Sequence, residues 1–142
     1  MKPEEKRKIK DYLRSYERAE EKIRQIEEDI DYINQSIDSR SQLFDGMPHA
    51  SGMSDRVARD GQRLCSLSME LIAQRDEAAA ARKEVAGVIR RIEDVRYMRL
   101  LYARYIELKS WAEIALNMDR DPRWVFRMHN YALEEVKKIL TI

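Results

Sequence analysis

The chain has one cysteine, Cys65, so no intrachain disulfide is available to it. Cys65 sits among Leu64, Leu67 and Leu71, which predicts a small buried apolar group rather than a nucleophile. His49 and His129 have no cysteine or carboxylate at ligand spacing, which removes the basis for a metal site. Glycine and proline are scarce, at four and three residues, and β-branched runs of period two are missing, so a sheet architecture is excluded. No apolar run approaches the roughly 18 residues of a membrane span. The first ten residues, MKPEEKRKIK, lack the apolar stretch of a signal peptide, and a cytoplasmic location is expected. There is no Gly-rich phosphate loop and no nucleophile paired with a base, and coiled-coil stripes leave little room for a pocket. No enzyme activity, cofactor or small-molecule substrate is expected.

What is abundant is charge, at 37% of residues, beside 44% apolar residues and a mean hydropathy of −0.68. These proportions put the apolar residues on narrow helical stripes, so the expected fold class is all-α with coiled-coil character. At 142 residues the chain holds one domain, or a small domain with an extension. The most regular stripe lies at the N-terminus. Ile9, Tyr16, Ile23, Ile30 and Ile37 recur at heptad spacing, with Tyr12, Ala19, Ile26 and Ile33 at the second apolar position. A helix with so narrow a stripe must find a partner helix. Ile9, Tyr12, Tyr16, Ile23, Ile26, Ile30, Ile33 and Ile37 are therefore the expected coiled-coil and dimerisation residues.

From Ser39 to Ser54 the periodicity stops. Two Gly, one Pro and four Ser predict a loop over 39–54, with a turn at Asp45-Gly46 and with Leu43, Phe44 and Met47 packing over a bundle end. A second long helix is expected from its N-cap Ser54 towards Glu93, with Val57, Leu64, Leu71, Ala78, Val85 and Ile92 at heptad spacing. The run Ala78 to Ala81 permits close approach of another helix. Two long helices joined by one loop predict an antiparallel helical hairpin. Pairing of either stripe with its copy in a second chain stays open. The second helix is expected to continue, or to bend near Glu93-Asp94, into a C-terminal unit. The boundary is placed near Glu93: residues 1–93 as the coiled-coil hairpin and 94–142 as a separate unit.

That C-terminal unit reads as a helix-turn-helix. An apolar helix carrying Leu100, Leu101, Tyr105 and Ile106 leads to Ser110, an N-cap with Glu113 three residues on, the pattern of a capping box. A short helix with Trp111, Ile114 and Ala115 on one face follows, then a break at Asp119-Arg120-Asp121. Pro122 opens the next helix behind the cap Asp121. Val125, Ala132 and Val136 are expected to face inward, leaving Arg123, Phe126, Arg127 and Asn130 outward near the end that enters a DNA major groove. Arg123 and Arg127 lie one helical turn apart, suited to guanine edges or phosphates. Asn130 suits adenine or a phosphate, and Phe126 a thymine methyl. Ser110 and Lys109 are placed to hold a phosphate, and Arg104 either does the same or pairs with Glu107. Trp124 fits core closure, against Leu101 or Trp111, at least as well as base contact. His129 is expected at the core edge.

Leu100-Leu101-x-x-Arg104-Tyr105, Ser110-Trp111-Ala112-Glu113-Ile114-Ala115 and Asp121-Pro122-Arg123-Trp124-Val125 together resemble region 4 of bacterial sigma factors, over about a third of the chain. Relatives place Gly in the turn, where this chain has Asp119, and an apolar residue where it has Arg120. With its long N-terminal helices, its Met47-Pro48 loop and its Met128-His129 segment, the whole chain is similar to the sigma-region-4-like regulators of phages and prophages of Gram-positive bacteria, the ArpU and RinA late-gene activators among them. The resemblance implies a DNA-binding transcription regulator of phage genes, with RNA polymerase as a further partner.

Net charge is +1, but between Val95 and Leu133 seven basic residues, Arg96, Arg99, Arg104, Lys109, Arg120, Arg123 and Arg127, meet four acidic ones, Glu107, Glu113, Asp119 and Asp121. So small an excess in a single copy predicts weak DNA binding, which a homodimer would strengthen. The expected DNA-binding residues are Arg123, Phe126, Arg127, Asn130, Ser110, Lys109, Arg120 and Arg104, acting on double-stranded DNA. Two alternatives remain: a module that contacts RNA polymerase or another regulator without reading DNA, and a DNA-packaging adaptor.

Overall fold

The computed structural model describes residues 1–43 and 51–140, with side chains described over 1–39 and 55–140. The turn expected at Asp45-Gly46 and the packing of Leu43, Phe44 and Met47 fall outside the described residues. Among those described, every regular element is helical, in the order α1 (Pro3–Leu13), α2 (Ser15–Leu43), α3 (Ser51–Arg90), α4 (Val95–Tyr105), α5 (Trp111–Met118) and α6 (Pro122–Leu140). The fold is all-α.

Several boundaries differ from the sequence reading. Helix persists over 39–43 and starts again at Ser51, so Ser54 is not the first capping residue and the connection is shorter than 39–54. On the α2 side, residues 39–43 contain no glycine or proline to stop the helix. The first helix is also interrupted. Arg14 (φ −82°, ψ 3°) separates α1 from α2, although its N–H still donates to the Lys10 carbonyl at 2.9 Å and its carbonyl accepts from Arg18 at 2.9 Å. Here the apolar register changes: the buried pair in α1 is Ile9 and Leu13, where the heptad pattern named Ile9 and Tyr12. After α3 the chain bends at 91–94, and the Asp94 carboxylate caps α4 by accepting the Arg96 N–H at 2.9 Å.

The chain divides into two compact units, Met1–Ala19 with Ala78–Ile142, and Glu20–Glu77, rather than at Glu93. In the first unit α6 packs on α1, α4 and α5. Its core holds Ile9, Leu13, Val85, Ile89, Leu100, Leu101, Ile114, Val125, Leu133 and Val136. The inner row expected for α6 (Val125, Ala132, Val136) is buried as read. Lys137 Nζ, 2.7 Å from Glu5 Oε2, joins α6 to α1 at the surface.

In the second unit Ile26 and Ile33 of α2 are buried with Leu67 of α3, and Ile30, Ile37, Leu64 and Leu71 cover them. Glu27 faces Arg75 at 3.9 Å, and Ser36 and Ser39 share a shallow cavity with Arg56 and Asp60, so numbers fall along α3 as they rise along α2. The stripe expected to dimerise is therefore covered within the chain: Ile9 in one core, Ile26 and Ile33 in the other, with Tyr12 and Tyr16 packed beside the first. Two residues assigned inward are exposed, Val57 and Cys65. Cys65 follows Leu64 by one residue, which rotates it about 100° off the leucine row. Ala79 and Ala80 are exposed while Ala78 is buried, so only part of the alanine run meets a neighbour.

Among the described residues, two that are not glycine adopt the left-handed region, Leu108 (φ 56°) and Asp119 (φ 53°). Asp119 closes α5, its N–H donating to the Leu116 carbonyl at 3.1 Å. A β-branched side chain tolerates this conformation worst. Asp119→Val should lower unfolding free energy by about 1–2 kcal/mol, whereas Asp119→Gly should leave it level or raise it; urea melts of the two variants check the order.

Candidate nucleic-acid interface

The short α5 is held at both ends by its own sequence. Ser110 Oγ accepts the Glu113 N–H at 3.2 Å, the Ser110 half of the expected capping box. At the far end the left-handed Asp119 turns the chain, and the Arg120 N–H donates to the Ala115 carbonyl at 3.0 Å. Asp121 then caps α6, its Oδ1 accepting the Arg123 N–H at 2.8 Å. Pro122 follows at the first helical position, where no N–H is required.

With Val125, His129, Ala132, Leu133 and Val136 buried, the helical period leaves Arg123, Arg127 and Asn130 exposed on one outward face. Phe126 stands beside that row, 49% exposed, its ring 5.2 Å from Trp111. Arg123 and Arg127 have no carboxylate partner among the described residues.

The remaining expected contacts are differently placed. Arg104 neither stands free nor pairs with Glu107: its Nη1 donates to the Lys109 carbonyl at 3.1 Å, and its guanidinium lies 4.9 Å from the Trp111 ring centre. Lys109 takes Glu107 instead, at 3.3 Å. Ser110 is exposed at the start of α5. The Arg120 guanidinium lies 4.8 Å from the Trp124 ring centre. Trp124 itself is half-buried against the core. Arg123, Arg127, Asn130 and Phe126 are thus brought together, whereas Arg104 and Lys109 brace the α4–α5 connection.

His129, 3% exposed, belongs to the inner row of α6 rather than to its edge. Its Nε2 shares a 2.7 Å hydrogen bond with the Tyr105 hydroxyl of α4, and the Trp111 ring of α5 meets it edge-on at 4.7 Å. One buried residue therefore ties together all three helices of the segment. Burial pushes the imidazole down from 6.5 to about 3, with the positive charges of Lys10, Lys6 and Arg104 adding to it. Burial likewise pushes the Tyr105 hydroxyl up to about 12. Sequence spacing identified His129 only as a core-edge residue, because its partner lies 24 residues away.

No family model, curated protein or solved structure matches this chain.

Because folded His129 stays neutral down to about pH 3, below pH 6.5 the unfolded chain binds a proton that the folded chain does not. The stability this site supplies is complete above pH 6.5 and is lost as pH falls towards 3, by at most about 1.4 kcal/mol per pH unit. His129→Gln should therefore be less stable than the parent at pH 7, and the gap should narrow at pH 5. Chemical denaturation of both proteins at the two pH values measures it; a constant gap would refute the assignment.

Proposed function

We propose that the chain is a sequence-specific, DNA-binding transcription regulator that reads double-stranded DNA through α5 and α6 as a helix-turn-helix. The observation that carries the reading is the outward row of Arg123, Arg127 and Asn130 at the start of α6, on a helix whose opposite face is buried. Arg123 and Arg127 supply charge and bidentate donors for guanine or phosphate, Asn130 an amide for adenine, and Phe126 an apolar edge for thymine. Ser110 offers the amino-terminal end of α5 to a phosphate. The likeness of the C-terminal unit to region 4 of sigma factors supports a helix-turn-helix reading, and the likeness of the whole chain to phage and prophage late-gene activators supports a role in regulating phage genes.

In this reading α2 and α3 form an antiparallel coiled-coil hairpin and the protein acts as a homodimer, since two linked reading heads multiply a weak single-copy contact. With the α2 stripe covered in the chain, the outward apolar residues left on the second unit include Met69 and Ile72 of α3. A second reading, engagement of RNA polymerase or another regulator without DNA readout, is favoured by Leu116, 80% exposed on α5.

Anisotropy titration with duplex DNA at low and raised salt tests the proposal, because phosphate contacts make affinity fall steeply with salt. Arg127→Gln should lose about 1–3 kcal/mol of binding. Loss confined to one operator position marks a base contact, and uniform loss marks a phosphate contact. Absence of binding to any duplex at low salt would sink DNA readout.

A further inference from the structure

A cleft of about 850 Å³ opens in the first unit where α4, α5 and the start of α6 meet. Arg90, Arg96, Arg99, Lys109 and Arg120 line it, against the single carboxylate of Glu107. In a chain whose net charge is +1, this is a local concentration of positive charge. Two of the cations are already engaged, Arg96 with Asp94 at 3.1 Å and Lys109 with Glu107 at 3.3 Å. Arg90, Arg99 and Arg120 have no carboxylate partner among the described residues. The other walls are apolar or aromatic, with Met98, Ile114 and Met118 beside Tyr102 and Trp124.

We propose that this cleft binds a nucleotide-sized phosphorylated ligand, its phosphates held by Arg90, Arg99 and Arg120, the last resting on the Trp124 ring, and its own ring placed against Tyr102. Guanidinium groups match phosphate oxygens in a planar, two-pronged geometry that ammonium groups lack. The volume lies within the range of small-molecule sites, roughly 300–1,000 Å³. Concavity favours a compact ligand over a duplex, whose phosphates follow a convex surface. The cleft also shares no residue with the outward row of Arg123, Phe126, Arg127 and Asn130. The proposal therefore goes beyond DNA binding and does not rest on it. The sequence reading expected no small-molecule substrate, since coiled-coil stripes leave little room for a pocket; the cleft arises at the turns between short helices instead.

Isothermal titration calorimetry of the full chain, without DNA, tests it with adenosine triphosphate, inorganic triphosphate and adenosine. Adenosine triphosphate should bind one per chain and more tightly than triphosphate, and adenosine should give no heat. Arg99→Gln and Arg120→Gln should each weaken binding by about tenfold, the scale of one charged hydrogen bond. Arg99→Lys should recover part of the loss. Arg63→Gln, which removes the same charge from an exposed site on α3, should change nothing. Three results would overturn the proposal: no heat at millimolar nucleotide, equal weakening by Arg63→Gln, or displacement of the nucleotide by a short duplex whose own affinity falls with Arg99→Gln. The last would make the cleft a backbone contact for DNA.

Discussion

The first unit depends on the burial of one face of α6. Val125, Ala132, Leu133 and Val136 are enclosed, with α1, α4 and α5 packed on α6. Each of the valine and leucine side chains contributes about 1.5–3 kcal/mol when removed from water. Once that face is committed, a rotation of about 100° per residue leaves no freedom in where Arg123, Arg127 and Asn130 point. The outward row is thus a consequence of the inward one. Asp121 and Pro122 fix where the helix starts, so they also set how far along it the first arginine stands.

His129 is the polar exception in that inner row. An apolar residue of similar size would fill the space without a desolvation penalty, but would impose no direction. The hydrogen bond to Tyr105 holds α4 to α6 in one register, and the edge contact with Trp111 brings in α5. Buried polar contacts are costly when incomplete and orienting when satisfied. Trp111 extends the arrangement outward, with Phe126 on one side and Arg104 on another. The loop before α5 is thereby braced by aromatic and charged contacts rather than by glycine, even though Leu108 within it adopts a left-handed backbone.

What was legible in the sequence was local. The caps Ser110 and Asp121, the helix-opening Pro122, the start of α5 and α6, and the inward row of α6 are set by residues within a few positions of one another, and all were readable. What failed was long-range. The heptad rule assumes a helix facing one partner along its whole length, yet α1 buries Leu13 because it packs on α6. Nothing near Glu5 or Tyr12 announces partners 132 and 72 residues away. Arg104 was ambiguous for a related reason: its acceptor is a backbone carbonyl, which no side-chain pattern encodes. The exposure of Cys65, by contrast, follows from helical geometry alone.

Net charge is a poor guide to this surface, because fields between exposed groups fade over about 10 Å at ordinary salt. The seven cations between Val95 and Leu133 divide by what they touch. Arg96 is tied to Asp94, Lys109 to Glu107, and Arg104 to a carbonyl and an indole ring. The guanidinium groups of Arg99, Arg120, Arg123 and Arg127 form no ion pair among the described residues, and they fall into two places, Arg123 and Arg127 on the outward row and Arg99 and Arg120 in the cleft. The Asp121 carboxylate, meanwhile, is committed to the amino-terminal end of α6, where the helix dipole favours a negative charge. The small total of +1 therefore reflects structural ion pairs and caps more than the charge that the two surfaces present.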